Sequence, residues 1–237
     1  MNAPVSAPPE LIADEFALLV RMFPLVGARV LDLGCGTADM SRRILNEGGA
    51  ERVVAMEADT VQHAANLAAA PIPGLRFEHG GAEAIAHPDA TFDLVTMFKS
   101  LHHVPVGLMD RALAEIRRVL RPGGELYVSE PVFAGEFNEI MRLFHDEEEV
   151  RAAALAATQR ATRAGIFAQV EELHFVAPIA FRDFADFEAR MMHVTHSRFD
   201  LDPDRIERVR HRFVQSAGTG AVRFARPMRV NRLRRVD

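Results

Sequence analysis

The stretch "ARVLDLGCGTADM", Ala28 to Met40, sets two glycines, Gly34 and Gly36, just after a short apolar run that carries Asp32. A glycine turn after a strand usually cradles a nucleotide phosphate. The dinucleotide fingerprint needs a third glycine, which packs helix against strand. Asp39 occupies that third place. With Asp32 it puts two carboxylates beside the turn, and a pyrophosphate there would face like charge. Glu57 ends the next apolar run, "RVVAME", where an acid commonly accepts both hydroxyls of a ribose. These residues describe a pocket for a nucleoside with a cationic or zwitterionic appendage, not for a diphosphate.

Other residues could act on a ligand held there. His102 and His103 are candidate proton carriers. Lys99 is the only lysine in a chain that otherwise uses arginine. It ends an apolar run, at the strand exit where open α/β sheets bind ligands, and could hold a carboxylate or phosphate as a point charge. The acids Asp146, Glu147, Glu148 and Glu149 suit the positive end of a helix without invoking a metal. His193 and His196 are three apart, but no carboxylate or cysteine joins them at a diagnostic metal spacing, so no metal is expected. Cys35 reads as a small packing residue rather than a nucleophile.

The elements that must position these groups are legible as alternating runs. "LIADEFALLVRMF", from Leu11 to Phe23, has a helical apolar period and stops before Pro24. "RVLDLG", "RVVAME", "LRFEHG", "TFDLVTMF" and "ELYVSE" read as strands. Helices fall between them at Asp39 to Asn46, "DTVQHAANLAAA" and "MDRALAEIRRVL". Strands alternating with helices imply a parallel sheet covered on both faces. The last third offers a helix over "VRAAALAATQRATRAG", a sixth strand at "QVEELHFV", helices at "FRDFADFEARMM" and "DPDRIERVRHRFV", and a final strand at "MRVNRLRR".

The turn "VLDLGCGTA" resembles the first motif of class I S-adenosylmethionine-dependent methyltransferases. Glu57, "HGGAEAIAHPDATFDLV", "LHHV" and "ALAEIRRVLRPGGELYVSEP" follow in the order of the small-molecule, type 11-like members. The resemblance covers about Gly27 to Pro131 and implies S-adenosyl-L-methionine as cofactor. It implies that Gly34, Cys35 and Gly36 bring backbone to the methionine moiety, with Asp32 near its ammonium. Glu57 would hold the ribose, Ala58, Ala82 and Glu83 would lie by the adenine, and Met97 and Phe98 would stand where cofactor and acceptor meet. The family often has an acid where Gly81 stands, so Glu83 or a backbone group must substitute. His103 and Lys99 become the catalytic candidates.

The implied fold is a Rossmann-like, doubly wound sheet of seven mostly parallel strands. Its last strand is antiparallel, and a helical insert separates strands six and seven. The chain reads as one domain over 1–237, with a loose tail at 1–9 and the insert at 181–218. In this fold strand six exits on the ligand side, so the insert is a candidate lid. Lys99, His102, His145, Met192, His193 and His196 are its expected acceptor contacts.

Composition narrows the class. Net charge −5 argues against general nucleic-acid binding. No apolar run approaches the ~20 residues of a membrane span, and the opening "MNAPVSAPPE" lacks the basic-then-apolar order of a signal peptide. A single cysteine precludes an internal disulfide and fits a cytoplasmic setting. The expected partner is a small-molecule methyl acceptor, with neither nucleic acid nor membrane; a homodimer is compatible with the chain. The alternatives are a protein or nucleic-acid methyltransferase and a non-catalytic cofactor-binding protein.

Overall fold

The computed structural model describes residues 10–194, 199–217 and 221–237. The expected tail at 1–9 lies outside them. β1 (Glu10–Leu11) is a two-residue strand, so the first helix starts later than its apolar period suggested. α1 (Glu15–Met22) begins where the Asp14 side chain accepts the Phe16 N–H at 3.1 Å, satisfying one of the helix's open donors.

The core alternates as expected. β2 (Arg29–Leu33), α2 (Asp39–Asn46), β3 (Arg52–Glu57), α3 (Thr60–Ala68), β4 (Leu75–His79), β5 (Phe92–Phe98), α4 (Met109–Val119) and β6 (Leu120–Pro131) follow in order. Next come α5 (Glu136–Met141), α6 (Glu148–Arg163), β7 (Phe167–Phe181), α7 (Phe184–Met191), α8 (Pro203–Ala217) and β8 (Val222–Arg235). The sheet order is β1-β7-β8-β6-β5-β2-β3-β4. β2 through β6 pair in parallel, and β8 runs antiparallel between β6 and β7. This is the anticipated sheet with one strand more. The additional β1 pairs in parallel with Phe175 and Val176 of β7.

Three apolar cores form. Leu31, Val95, Leu113, Ile116 and Ala157 fill the face under α4 and α6. Leu19, Val30, Val53, Tyr127 and Val230 fill the opposite face, with Phe16 of α1 and Ile44 of α2. The third core lies above the sheet. β7 and β8 pair along their whole length, and Pro131, the last residue of β6, stands opposite Met228. The arms from Val222 to Pro227 therefore rise past the end of β6. There they join α5, α7 and α8 in a cluster of Phe137, Phe181, Phe184, Phe187, Phe213 and Phe224. The predicted insert thus forms a cap together with α5 and the β7–β8 arms, around this third core.

Phe187 is fully buried at the centre of that cap, 5.2 Å from the Phe181 ring and 5.1 Å from the Phe213 ring. Phe187→Ala should lower unfolding stability by about 3–5 kcal/mol, as read by chemical denaturation, with S-adenosylhomocysteine affinity little changed. An unchanged denaturation midpoint would show that the cap contributes nothing to the fold.

Candidate active site

The carboxyl ends of β2, β3 and β5 open into a cleft of about 1080 Å³. The glycine turn forms its floor. Gly34 and Gly36 both hold positive φ, +68° and +53°, a region that L side chains rarely adopt. A Cβ on Gly34 would stand 2.6 Å from Ser100 Cβ, whereas one on Gly36 would meet nothing within 4 Å. Gly34 is therefore forced by the β5 exit packed behind it, while Gly36 turns bare backbone toward the open side.

Glu57 braces this turn. Gly36 N donates to Glu57 Oε2 at 2.7 Å, and Asp59 N donates to Oε1 at 2.9 Å. A carboxylate offers about four lone-pair sites, so both oxygens keep acceptor capacity for ligand hydroxyls. From below, Asn66 Nδ2 donates to Gly36 O at 2.8 Å. Asp32 takes a different place from the one expected. It is 1% exposed, does not line the cleft, and accepts Ser41 Oγ at 2.5 Å and Thr96 Oγ1 at 2.8 Å. Burial pushes its carboxyl above the ordinary range, against the pull of the two hydroxyls. It supports the turn from behind rather than meeting a ligand's ammonium at the wall.

Along the other wall lie Ala58, Ala82, Glu83, Met97 and Phe98, all anticipated. Glu83 stands beside Gly81, where the family often has an acid. A Cβ on Gly81 would sit 2.4 Å from Glu83 Oε2 and 2.5 Å from Oε1. The Glu83 carboxylate therefore fills the space that a side chain at Gly81 would enter. Cys35 is half-buried and is not part of the cleft wall; burial, then Asp32 and Glu57, push its thiol up and keep it un-ionised.

The acceptor half differs more from expectation. His103 is exposed on a short 3-10 turn (Leu101–His103) and lines the cleft with Val104 and Pro105. His193 and Val194 reach it from the cap. Met192 is 2% exposed and belongs to the cap core, so it is not a cleft contact. His196 lies outside the described residues. Lys99 lines the cleft, but its ammonium is 2.8 Å from Glu15 Oε2. The same carboxylate accepts Tyr127 Oη at 3.2 Å. Lys99 is thus a neutralised partner that ties β5 to α1, not a bare point charge.

His102 and His145 are withdrawn from the cleft wall by Glu147. His102 is buried between two acids, with Nδ1 on Glu130 Oε2 and Nε2 3.4 Å from Glu147 Oε1. Burial opposes its charge, but Glu130 and Glu147 outweigh burial and raise it to about 9. His145 Nε2 is 2.7 Å from Glu147 Oε1, and Arg151 holds Oε2. Burial would raise Glu147, but His102, His145 and Arg151 hold it far below the carboxylate range. Among the described residues, His102, His103 and Glu147 lie close enough together to be metal ligands, a grouping that the spacing of His193 and His196 did not announce.

These features match known proteins. A family model described as a methyltransferase domain fits residues 30–124. The ubiquinone/menaquinone biosynthesis C-methyltransferase UbiE of Methylobacterium nodulans is 33% identical over 177 residues, 71% of this chain and 67% of that one. The chain belongs to the class I methyltransferase family. The 27-O-demethylrifamycin SV methyltransferase of Amycolatopsis mediterranei is 35% identical over 114 residues, 46% of this chain and 40% of that one. The matches thus span 40% to 67% of these relatives' length. The YcgJ protein from Bacillus subtilis superposes with a TM-score of 0.68 over 94% of this chain and 98% of its own; at 18% identity it shares the fold alone.

Sequence reasoning missed several residues of this methyltransferase's cleft. Asp59, Thr60 and Gln62 enter from the start of α3, and His79 lines the wall with its ring nitrogen 3.2 Å from Ala58 O. Asp59 had left a signal, since its side chain caps α3 by accepting the Val61 N–H at 2.9 Å. Asn66 had none: only the structure shows that this polar residue is the buried one of α3.

Gly34→Ala should damage the methyltransferase's turn twice, through positive φ and through the Ser100 contact. Calorimetry should show S-adenosylhomocysteine affinity reduced at least ~10-fold, about 1.4 kcal/mol, with the protein still folded. Parental affinity would show that the turn does not shape the site.

Proposed function

We propose that the chain transfers the methyl group of S-adenosylmethionine to a small-molecule acceptor held in this cleft. The observation that carries the reading is the open glycine turn braced by Glu57. Bare backbone at Gly36, acids at Glu57 and Glu83, and an apolar wall of Ala58, Ala82 and Met97 fit a zwitterionic nucleoside. The same acids oppose a dinucleotide's phosphates. The names of the two sequence relatives both denote methylation of small molecules, which supports a small acceptor here. Among the described residues no helix is long and apolar enough to cross a membrane.

In this reading Gly34, Cys35 and Gly36 offer backbone groups to the amino-acid end of the cofactor. Glu57 takes the ribose hydroxyls, and Glu83 takes the adenine edge in place of an acid at Gly81. S-adenosylmethionine supplies an electrophilic methyl group on a sulfonium. The protein's contribution is alignment and exclusion of water. Met97 and Phe98 form the junction between the two halves of the cleft. His103 faces the acceptor half and is placed to take a proton from it, and the cap shields that half through His193 and Val194. Lys99 holds Glu15 and keeps α1 against the exit of β5.

Glu57→Ala should weaken S-adenosylhomocysteine binding by about 1.5–3 kcal/mol, the size of lost hydrogen bonds to a charged group. NAD should not bind; tight NAD binding with no response to S-adenosylhomocysteine would refute the assignment.

His103→Asn should leave S-adenosylhomocysteine affinity intact and lower kcat at least ~10-fold. S-adenosylhomocysteine release from panels of phenols, thiols, amines and carboxylates gives the readout. Parental kcat on the preferred acceptor would remove His103 from the chemistry.

A further inference from the structure

The histidine pair and Glu147 meet in a way that proton traffic alone does not require. His102 and His103 are neighbours on the 3-10 turn, and Glu147 is the N-cap residue of α6, which packs against that turn. One ligand atom from each of the three lies within 4.8 Å of the other two. Inside this group His102 Nε2 and Glu147 Oε1, both buried, stand 3.4 Å apart. That separation is the edge, ~3.3 Å, of a tetrahedron built on the ~2.0–2.1 Å bonds that zinc makes to imidazole and carboxylate.

The surroundings turn each ligand the right way. His102 Nδ1 donates to Glu130 Oε2, and the other oxygen of Glu130 accepts the Leu101 N–H at 2.9 Å. A carboxylate on the far nitrogen is what orients metal-binding imidazoles and raises their basicity, and it leaves Nε2 directed at Glu147. Arg151 occupies Glu147 Oε2. Oε1, which His145 Nε2 also meets at 2.7 Å, is the oxygen left for an ion. Without an ion, the proton on His102 bridges the same two atoms; a metal takes the proton's place and releases it. His103 is the member of the group that lines the cleft, while His102 and Glu147 lie behind it. Positions that the buried pair leaves open therefore face the acceptor half.

We propose that His102, His103 and Glu147 bind one divalent ion of the zinc type, with an open position toward the cleft. Two imidazoles and a carboxylate suit zinc, cobalt or iron, whereas magnesium and calcium favour all-oxygen sets. Three protein ligands with a further place open is the pattern of catalytic rather than structural zinc. At that place the ion would take an oxygen of the methyl acceptor. This last contact rests on the methyl-transfer reading; the metal site does not. With the ion bound, the metal rather than the His103 ring meets the acceptor, and the loss of kcat expected for His103→Asn holds on either route. Residue spacing announces no such site, because Glu147 comes from a different element.

The experiment dialyses the full-length protein against a chelator and then titrates it with cobalt(II), whose visible bands report coordination geometry, using zinc as competitor. One cobalt per chain should bind with the intense bands of a low-coordinate ion, and zinc should remove them. His103→Ala should weaken cobalt binding at least ~10-fold, since losing a ligand costs no less than losing an outer partner. His103 is exposed, so this variant should keep the parental affinity for S-adenosylhomocysteine. Glu147→Gln should lose cobalt as well; should it not fold, His103→Ala alone decides. Absence of cobalt bands, or equal cobalt affinity in the parent and His103→Ala, overturns the proposal. Azide should shift the bands by entering the open position. Bands that azide leaves unchanged would make the ion a closed structural one and overturn its contact with the acceptor. Failure of S-adenosylhomocysteine to bind the parent would refute methyl transfer while leaving the metal result readable.

Discussion

The site depends on one constraint: the backbone after β2 must turn back on itself without a side chain in the way, and must stay there. Gly34 and Gly36 permit the turn, but permission is not stability, since glycine gains nothing from being fixed. The Glu57 carboxylate fixes it by accepting Gly36 N and Asp59 N together. It thereby joins the exit of β2 to the exit of β3 and the start of α3. Asp32, held by Ser41 and Thr96, joins the same turn to α2 and β5. Five elements are registered through two carboxylates, and the cleft is the space they leave open.

Two such acids so close to each other and to the ligand also set the sign of that space. Asp32 is pressed toward its neutral form by burial, which relieves part of the repulsion. Glu57 and Glu83 line the wall. The donor half of the cleft is therefore acidic, while the acceptor half holds His103, His193 and Lys99. On the proposed reading, the division suits a cationic donor and a nucleophilic acceptor, each meeting complementary groups at its own end.

The sequence made the donor half readable because its determinants are local. Gly34-x-Gly36, Glu57 at a strand end and Asp59 at a helix start each show in a short local pattern, although their braces, Ser100 for Gly34 and Glu57 for Gly36, lie further along the chain. The α2 and β3 boundaries follow from the same short-range signals. The acceptor half was read less well because its partners are distant. Lys99 meets Glu15 across 84 positions, and His102 meets Glu130 across 28. Nothing in their spacing announces either pair. Burial was the other hidden variable: Met192 and His193 are consecutive, yet one closes the cap core and the other faces the cleft. β1 was missed because two residues carry no period, and only the edge of β7 makes them a strand.

The phenylalanine-rich cap stands on two strands that continue into the sheet; α7 and α8 lie in the stretch of chain between them, while α5 joins from before β7. The donor half draws on residues that end well before that stretch begins. On the proposed reading, the cover over the recipient is therefore largely separable in the gene from the residues that hold the donor, although Lys99 and His103 travel with the latter. A single exchange of that contiguous coding sequence would replace the cover over the cleft while the glycine turn, Glu57 and His103 passed on unaltered. The paired arms would give any replacement the same footing.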